Sequence, residues 1–244
     1  MNARRLLIDA GNSRLKWVVV ENRQWHDQGV ADYADMSPLM ETLIPGTDCV
    51  IASVASAQQE NRIKTVLGAR GIAPTWLVSG AVFADVTNTY LHPEQLGVDR
   101  WMGLIAARER IRAPALVVSV GTAMTVDALS AEGTFLGGLI VPGVAMMRQA
   151  LQQGTARVME VAGTWTAFPR TTEDAVHSGI IAALCGAIHK QHIQLAETAE
   201  VTPCCFMTGG DADMLLPHLT VSVEHVPALV LEGIDRVARR GGAG

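Results

Sequence analysis

Apolar residues fall in short runs, each stopped by glycine, proline or a cluster of polar side chains. Residues 5–10 (RLLIDA) form one such run, residues 11–13 are turn chemistry, and residues 15–21 (LKWVVVE) form a second run rich in β-branched side chains. The opening is therefore predicted to be a β-hairpin. Residues 115–120 (ALVVSV) repeat the pattern: a strand ends on Gly121 and Thr122, and residues 124–129 (MTVDAL) lead away. A shift of 110 positions lays Gly11 on Gly121, Asn12 on Thr122 and Asp9 on Ser119. This reads as an internal duplication, each half opening on a strand–turn–strand that presents backbone amides at its tip.

Between the hairpins, residues 49–54 (CVIASV) and 75–78 (TWLV) are predicted as buried strands, and 61–69 and 100–111 as helices. After the second hairpin, 135–141 (FLGGLIV) is predicted as a strand closed by Pro142 and Gly143, and 204–207 (CCFM) as a further strand. Helical runs are predicted at 144–152, 172–195 and 231–239. Strands alternating with helices give an α/β fold, with a boundary near Ala113 and Pro114 that divides the chain into lobes 1–113 and 114–244.

The 244 residues are 49% apolar and 18% charged, enough to bury a large core. The net charge of -5 offers no general attraction to nucleic acid or anionic membrane, so a bound polyanion must be held by local geometry. The apolar stretch near the start stops at Asp9, too soon for a secretory signal. The longest apolar run, 179–188 (GIIAALCGAI), is about half the ~20 residues a membrane helix needs. Cys49, Cys185, Cys204 and Cys205 show neither zinc nor disulfide spacing, which fits a reducing cytoplasm.

Four segments could carry chemistry. In the first (Asp9, Ala10, Gly11, Asn12, Ser13, Arg14, Leu15, Lys16), an acid ends a buried strand, a glycine admits a bulky anion, and amides and a lysine can face phosphate oxygens. Asp9 could hold Mg²⁺ through water. The bland alternative is a hairpin turn with solvated Asp9 and Lys16. In the second, Tyr90 precedes Gly97, Val98, Asp99 and Arg100 at a helix start. Asp99 is either a helix cap or a general base, kept ionised by the helix start, with Arg100 clamping a carboxylate. In the third, Thr122 can donate to a phosphate, and glycines at 137, 138 and 143 allow tight backbone passage or ordinary turns. In the fourth, Gly209 and Gly210 suit a nucleobase lying on the backbone, or a plain turn. His189 and His192 share helical spacing without an acidic partner, so no metal site is expected there.

Taken in order, the segments match D-x-G-N-[ST]-x-x-K (9–16), G-x-D-R (97–100), G-T-A-x-T-x-D (121–127), G-G-x-I-x-P-G (137–143), T-x-x-A-x-x-x-G (172–179) and T-G-G-x-A (208–212). Six motifs in register resemble the type III pantothenate kinases, over residues 6–233, nearly the whole chain. The resemblance implies the actin-like ATPase fold of the acetate and sugar kinase superfamily, two duplicated ribonuclease-H-like lobes around a central active-site cleft. It implies ATP and Mg²⁺ as cofactors, with residues 9–16 and Thr122 on ATP. It implies pantothenate held by Tyr90, Gly97, Val98, Asp99 and Arg100, with Asp99 the proton acceptor. It adds Thr172 as a substrate contact supplied by the neighbouring subunit of a homodimer. Many relatives bind a monovalent cation through an aspartate two residues before the second Gly-Thr pair. Ser119 stands there in this chain, which puts a K⁺ or NH₄⁺ site in doubt. Two rival readings on the same scaffold are a phosphatase of polyphosphate or an alarmone, and a non-catalytic nucleotide-binding regulator.

Overall fold

The computed structural model describes residues 4–154 and 163–241; residues 1–3 of the first expected lobe, and 155–162 and 242–244 of the second, lie outside that range. Strands β1 (Arg5–Ala10), β2 (Arg14–Glu21) and β3 (Gln24–Asp32) are followed by α1 (Ser37–Met40), β4 (Asp48–Ser53), α2 (Ala57–Gly68) and β5 (Pro74–Trp76). A small hairpin, β6 (Val82–Phe83) and β7 (Val86–Asn88), leads to α3 (Val98–Arg110). Next come β8 (Ala115–Val120), β9 (Ala123–Leu129), β10 (Thr134–Pro142), α4 (Val144–Gly154), α5 (Thr172–Ala199), β11 (Cys204–Thr208), α6 (Ala212–Leu215) and β12 (Glu224–His225). Helix α7 (Leu229–Arg239) is last.

The chain divides into two compact units, Met1–Arg110 with Ala228–Gly244, and Ile111–Pro227. The sequence placed 114–244 in one lobe, but α7 packs on α3 in the first unit. Gly233 permits that approach, since a Cβ there would lie 2.0 Å from the carbonyl oxygen of Met102. Ion pairs from Arg110 to Glu232 (2.7 Å) and Arg236 to Glu109 (2.9 Å) flank the seam.

In the first unit the strand order is β3-β2-β1-β4-β5, with β1 antiparallel to β2 and parallel to β4. Side chains of successive strand residues point to opposite faces. Leu6, Ile8 and Ala10 join Leu15, Trp17, Cys49 and Ile51 in a core shared with Ile63 and Leu67 of α2. Leu7 and Asp9 therefore face the other side, against which α3 and α7 pack. Helix α2 starts four residues before the predicted 61, because Ser56 and Gln59 form a reciprocal capping box. Strand β3 was not expected: apart from Ala31 its side chains are exposed or half-buried, as suits an edge strand.

In the second unit β8 is antiparallel to β9 and parallel to β11, and the order of the unit's own strands is β12-β11-β8-β9-β10. Leu116, Val118 and Val120 pack with Met124, Val126, Met207 and the inner face of α5. Among the described residues no helix is long and apolar enough to cross a membrane.

Candidate functional site

The β1–β2 hairpin sets Asp9 directly opposite Lys16 on the α3-facing side of the sheet. Both side chains are half-buried. Burial raises Asp9 to about 7, Lys16 pulls it back, and the charge of Asp99 raises it further. Burial likewise lowers Lys16, against the opposing pull of Asp9. The charge of Asp99, distant in sequence, thus reaches the Asp9 carboxylate beside Lys16.

The turn between the strands is fastened from below. Gly11 N–H donates to the Arg14 carbonyl at 3.2 Å, closing the tip. The carbonyl of Ala10 accepts from Val54 N–H (3.0 Å), that of Gly11 from the Tyr33 hydroxyl (2.6 Å), and that of Asn12 from Gln59 Nε2 (2.7 Å). Asn12, Ser13 and Arg14 are exposed at the tip. Tyr33 is buried, its own carbonyl takes Arg62 Nη1 at 2.7 Å, and burial pushes its hydroxyl to about 12, so it stays a donor.

Asp99 is the second residue of α3 rather than its cap. Its Oδ1 accepts from Arg100 N–H at 2.8 Å. The expectation that the helix start keeps it readily ionised needs correction. Burial raises its pKa, outweighing that hydrogen bond and the Arg100 charge. A carboxylate so raised is a better proton acceptor than a solvated one. Gly97 leaves room for it, for a Cβ there would lie 2.7 Å from Asp99 Oδ1. Val98 is buried and starts the helix. Arg100 is 7% exposed, its Nη1 donates to Tyr90 Oη at 3.0 Å, and its guanidinium lies 5.7 Å from the Tyr90 ring centre. The Tyr90 segment is tied by Asn88, which is 5% exposed. Asn88 Nδ2 donates to the carbonyls of Gly80 (3.2 Å) and Pro93 (3.0 Å), and its Oδ1 accepts from Tyr90 N–H (3.1 Å). Tyr33, Gln59 and Asn88 carry no motif and were missed in the sequence; only the Ser56–Gln59 spacing, a capping-box signature, was there to be read.

Thr122 and Thr172 belong to the second unit. Thr122 is exposed at the β8–β9 turn, its carbonyl accepting from Gly143 N–H at 3.0 Å. Gly209 packs against the same turn, since a Cβ there would lie 2.1 Å from the Val120 carbonyl. The glycine motifs around 121, 143 and 209 thus converge. Ser119 lies between Thr125 and Thr208 in adjacent strands, which makes a row of three hydroxyl side chains. Thr172 opens α5 after Thr171, whose hydroxyl accepts from Asp174 N–H (3.2 Å). It lines a mostly apolar groove of about 790 Å³ with Pro142, Met147, Leu151 and Ile180. Among the described residues no group of three or more His, Cys, Asp or Glu is placed to hold a metal ion.

A family model described as type III pantothenate kinase matches residues 5–194. A type III pantothenate kinase of Thiobacillus denitrificans is 60% identical over 244 residues, covering 100% of both chains. Among solved structures, a conserved protein assigned to the Baf family of transcriptional activators from Campylobacter jejuni aligns with a TM-score of 0.61 at 22% identity, covering 97% of this chain and 98% of that one. A protein assigned as a 2-dehydro-3-deoxygalactonokinase from Sinorhizobium meliloti aligns with a TM-score of 0.59 at 14% identity, covering 98% and 100%. At such identities these two speak for the fold alone, the α/β fold of actin-like ATPases and sugar kinases. With the family model spanning most of its length and a relative matching it from end to end, this chain belongs to the type III pantothenate kinase family.

Proposed function

We infer that this chain transfers the terminal phosphoryl group of ATP to the hydroxyl of pantothenate, giving 4'-phosphopantothenate, the opening step of coenzyme A synthesis. Family membership supports the reaction. The observation that supports the residue roles is the pairing of Asp9 with Lys16 across the hairpin, with the charge of Asp99 raising Asp9 further.

Phosphoryl transfer passes through a loose transition state, so positioning and charge neutralisation do most of the work. Residues 9–16 and Thr122 hold the phosphates of ATP, with Lys16 countering charge on the transferred group. Asp99 takes the proton of the pantothenate hydroxyl as its oxygen meets the γ-phosphorus. Arg100 and Tyr90, already joined at 3.0 Å, receive the pantothenate carboxylate, and Gly97 and Val98 shape the wall. A carboxylate held up by burial and by a second acid fits a divalent cation, which relieves both penalties. Asp9 would hold Mg²⁺ through water, and the ion would supply neutralisation of phosphate charge.

The functional molecule is a homodimer in which Thr172 of one copy reaches the pantothenate of the other, and it works in the cytoplasm. Exposed Phe168, Met146 and Leu151 on the α4–α5 side give a second copy apolar surface to cover. A protein-bound K⁺ at Ser119 is disfavoured, since three hydroxyls are weaker ligands than a carboxylate. A phosphatase or a silent regulator on this scaffold is not favoured by the family.

The test is a coupled assay with ATP, Mg²⁺ and pantothenate, with and without K⁺. Pantothenate-dependent ADP formation is expected, with little response to K⁺. Phosphate release without an acceptor, and none stimulated by pantothenate, would overturn the reading.

A further inference from the structure

The hairpin tip between β1 and β2 is exposed, yet two side chains from elsewhere in the first unit are spent on its carbonyls. Tyr33 Oη donates to Gly11 O at 2.6 Å and Gln59 Nε2 to Asn12 O at 2.7 Å. In a trans peptide the C=O of one residue and the N–H of the next point in opposite directions. No cis peptide occurs among the described residues. Drawing the Gly11 carbonyl down to Tyr33 therefore turns Asn12 N–H up, and drawing the Asn12 carbonyl to Gln59 turns Ser13 N–H up.

Neither donor is loose. Gln59 Oε1 accepts from Ser56 N–H at 2.8 Å, so the side chain that grips the loop also caps α2. One turn along the same helix, Arg62 Nη1 holds the Tyr33 carbonyl at 2.7 Å. The two residues sit three apart on α2 and so share a face. One helix face thus secures the tip directly through Gln59 and indirectly through Tyr33. A glycine-containing turn without such a brace can flip its peptides, and amides that must reorient when charge develops contribute less than amides already aimed.

We propose that Tyr33 and Gln59 are positioning residues of the phosphate loop, holding the Asn12 and Ser13 amides toward the phosphate chain of a bound nucleotide. This rests on the reading of residues 9–16 as the ATP loop. Tyr33→Phe keeps the ring and its packing, whereas Gln59→Leu also loses half of the capping box. Ser56→Ala weakens the cap of α2 without touching the loop and serves as the control for helix stability.

The experiment measures KM for ATP and for pantothenate, and ADP affinity by calorimetry, in the full chain, these three variants, the double variant Tyr33→Phe with Gln59→Leu, and Lys16→Ala. The double variant Tyr33→Phe with Gln59→Leu is expected to raise KM for ATP and weaken ADP by about 10–100-fold, equivalent to losing one or two well-aimed hydrogen bonds to charged oxygens. KM for pantothenate should stay put, and Ser56→Ala should leave both nucleotide readings near wild type. ADP affinity in the double variant within about twofold of wild type, while Lys16→Ala weakens it, would overturn the brace and leave the ATP loop standing. Equal losses for ATP and pantothenate, or an equal loss in Ser56→Ala, would reduce it to general stability. A wild-type chain that binds no nucleotide would remove the ATP loop and the brace together.

Discussion

Replacing Asp9 by Asn should make the ligand-free protein more stable, and more so at pH 8 than at pH 5. An aspartate in the unfolded chain titrates near 3.8, whereas in the folded protein burial and the charge of Asp99 lift Asp9 to about 7. Between those values the folded state holds more protons than the unfolded one, so stability falls as pH rises through the window and levels off above it. About two pH units of that window lie between pH 5 and pH 8, at ~1.4 kcal/mol each, for a ceiling of roughly 3 kcal/mol. Asp9 is only half-buried and solvent screens part of its field, which brings the expected difference to about 1–2 kcal/mol. An asparagine does not ionise, so Asp9→Asn escapes this penalty. For a chain of this length that is a Tm advantage larger by roughly 2–8 °C at pH 8 than at pH 5. Thermal melts of both proteins at the two pH values read it directly. Saturating Mg-ATP should then reverse the order, because only the wild type gains fully from binding. The same Tm offset at both pH values, or a variant less stable than wild type at pH 8, would refute the claim that this carboxylate is held against its own ionisation.

Asp99→Asn should lower kcat by roughly 10²–10⁴-fold while calorimetry finds ATP binding intact; full activity would remove Asp99 as the base. Asn88→Ala removes the side-chain bonds to the Gly80 and Pro93 carbonyls and releases Tyr90 N–H, so KM for pantothenate should rise about tenfold with KM for ATP unchanged. Gly209 has φ +107° and meets the Val120 carbonyl, so Gly209→Ala should cost more than about 3 kcal/mol in denaturant unfolding, and a variant of wild-type stability would contradict that packing.

The strands that bury a continuous apolar run were legible in the sequence, as β1, β2, β4, β8, β9 and β11 show. Strand β3 was not, because an edge strand needs only one paired side and can carry Gln24, His26, Asp27 and Gln28 without cost. The return of α7 to the first unit was equally hidden. Its apolar spacing declares a packed helix, but nothing in it says which sheet it will meet. The candidate site residues were proposed where backbone shape demands glycine or where a charge interrupts an apolar run. Tyr33, Gln59 and Asn88 escaped because a single polar side chain acquires its partner only through tertiary contact.

The duplication read from a shift of 110 positions holds beyond its few matching letters. Strand order β3-β2-β1-β4-β5 in one unit corresponds to β10-β9-β8-β11-β12 in the other. Even one hydrogen bond recurs: the Ala10 carbonyl accepts from Val54 N–H past β4, and the Val120 carbonyl from Asp211 N–H past β11. The copies differ where chemistry would lie. Asp9 faces Lys16 across the first hairpin, whereas at the matching place Ser119 faces Thr125. The second hairpin also closes one residue tighter, for Ala10 pairs with Leu15 while Val120 pairs with Met124. Shared architecture therefore did not require shared charge. An acid and a base side by side are costly to bury, and one copy alone bears that cost. The other keeps neutral hydroxyls and tight glycine packing at the matching place. Introducing the charges as Ser119→Asp with Thr125→Lys should destabilise the second unit without adding turnover, because it places an acid and a cation between strands where Thr125 is 9% exposed and the cross-strand neighbours are neutral. Proteolysis and the pantothenate-dependent rate would test this together, and a stable variant with increased kcat would show the asymmetry to be accidental.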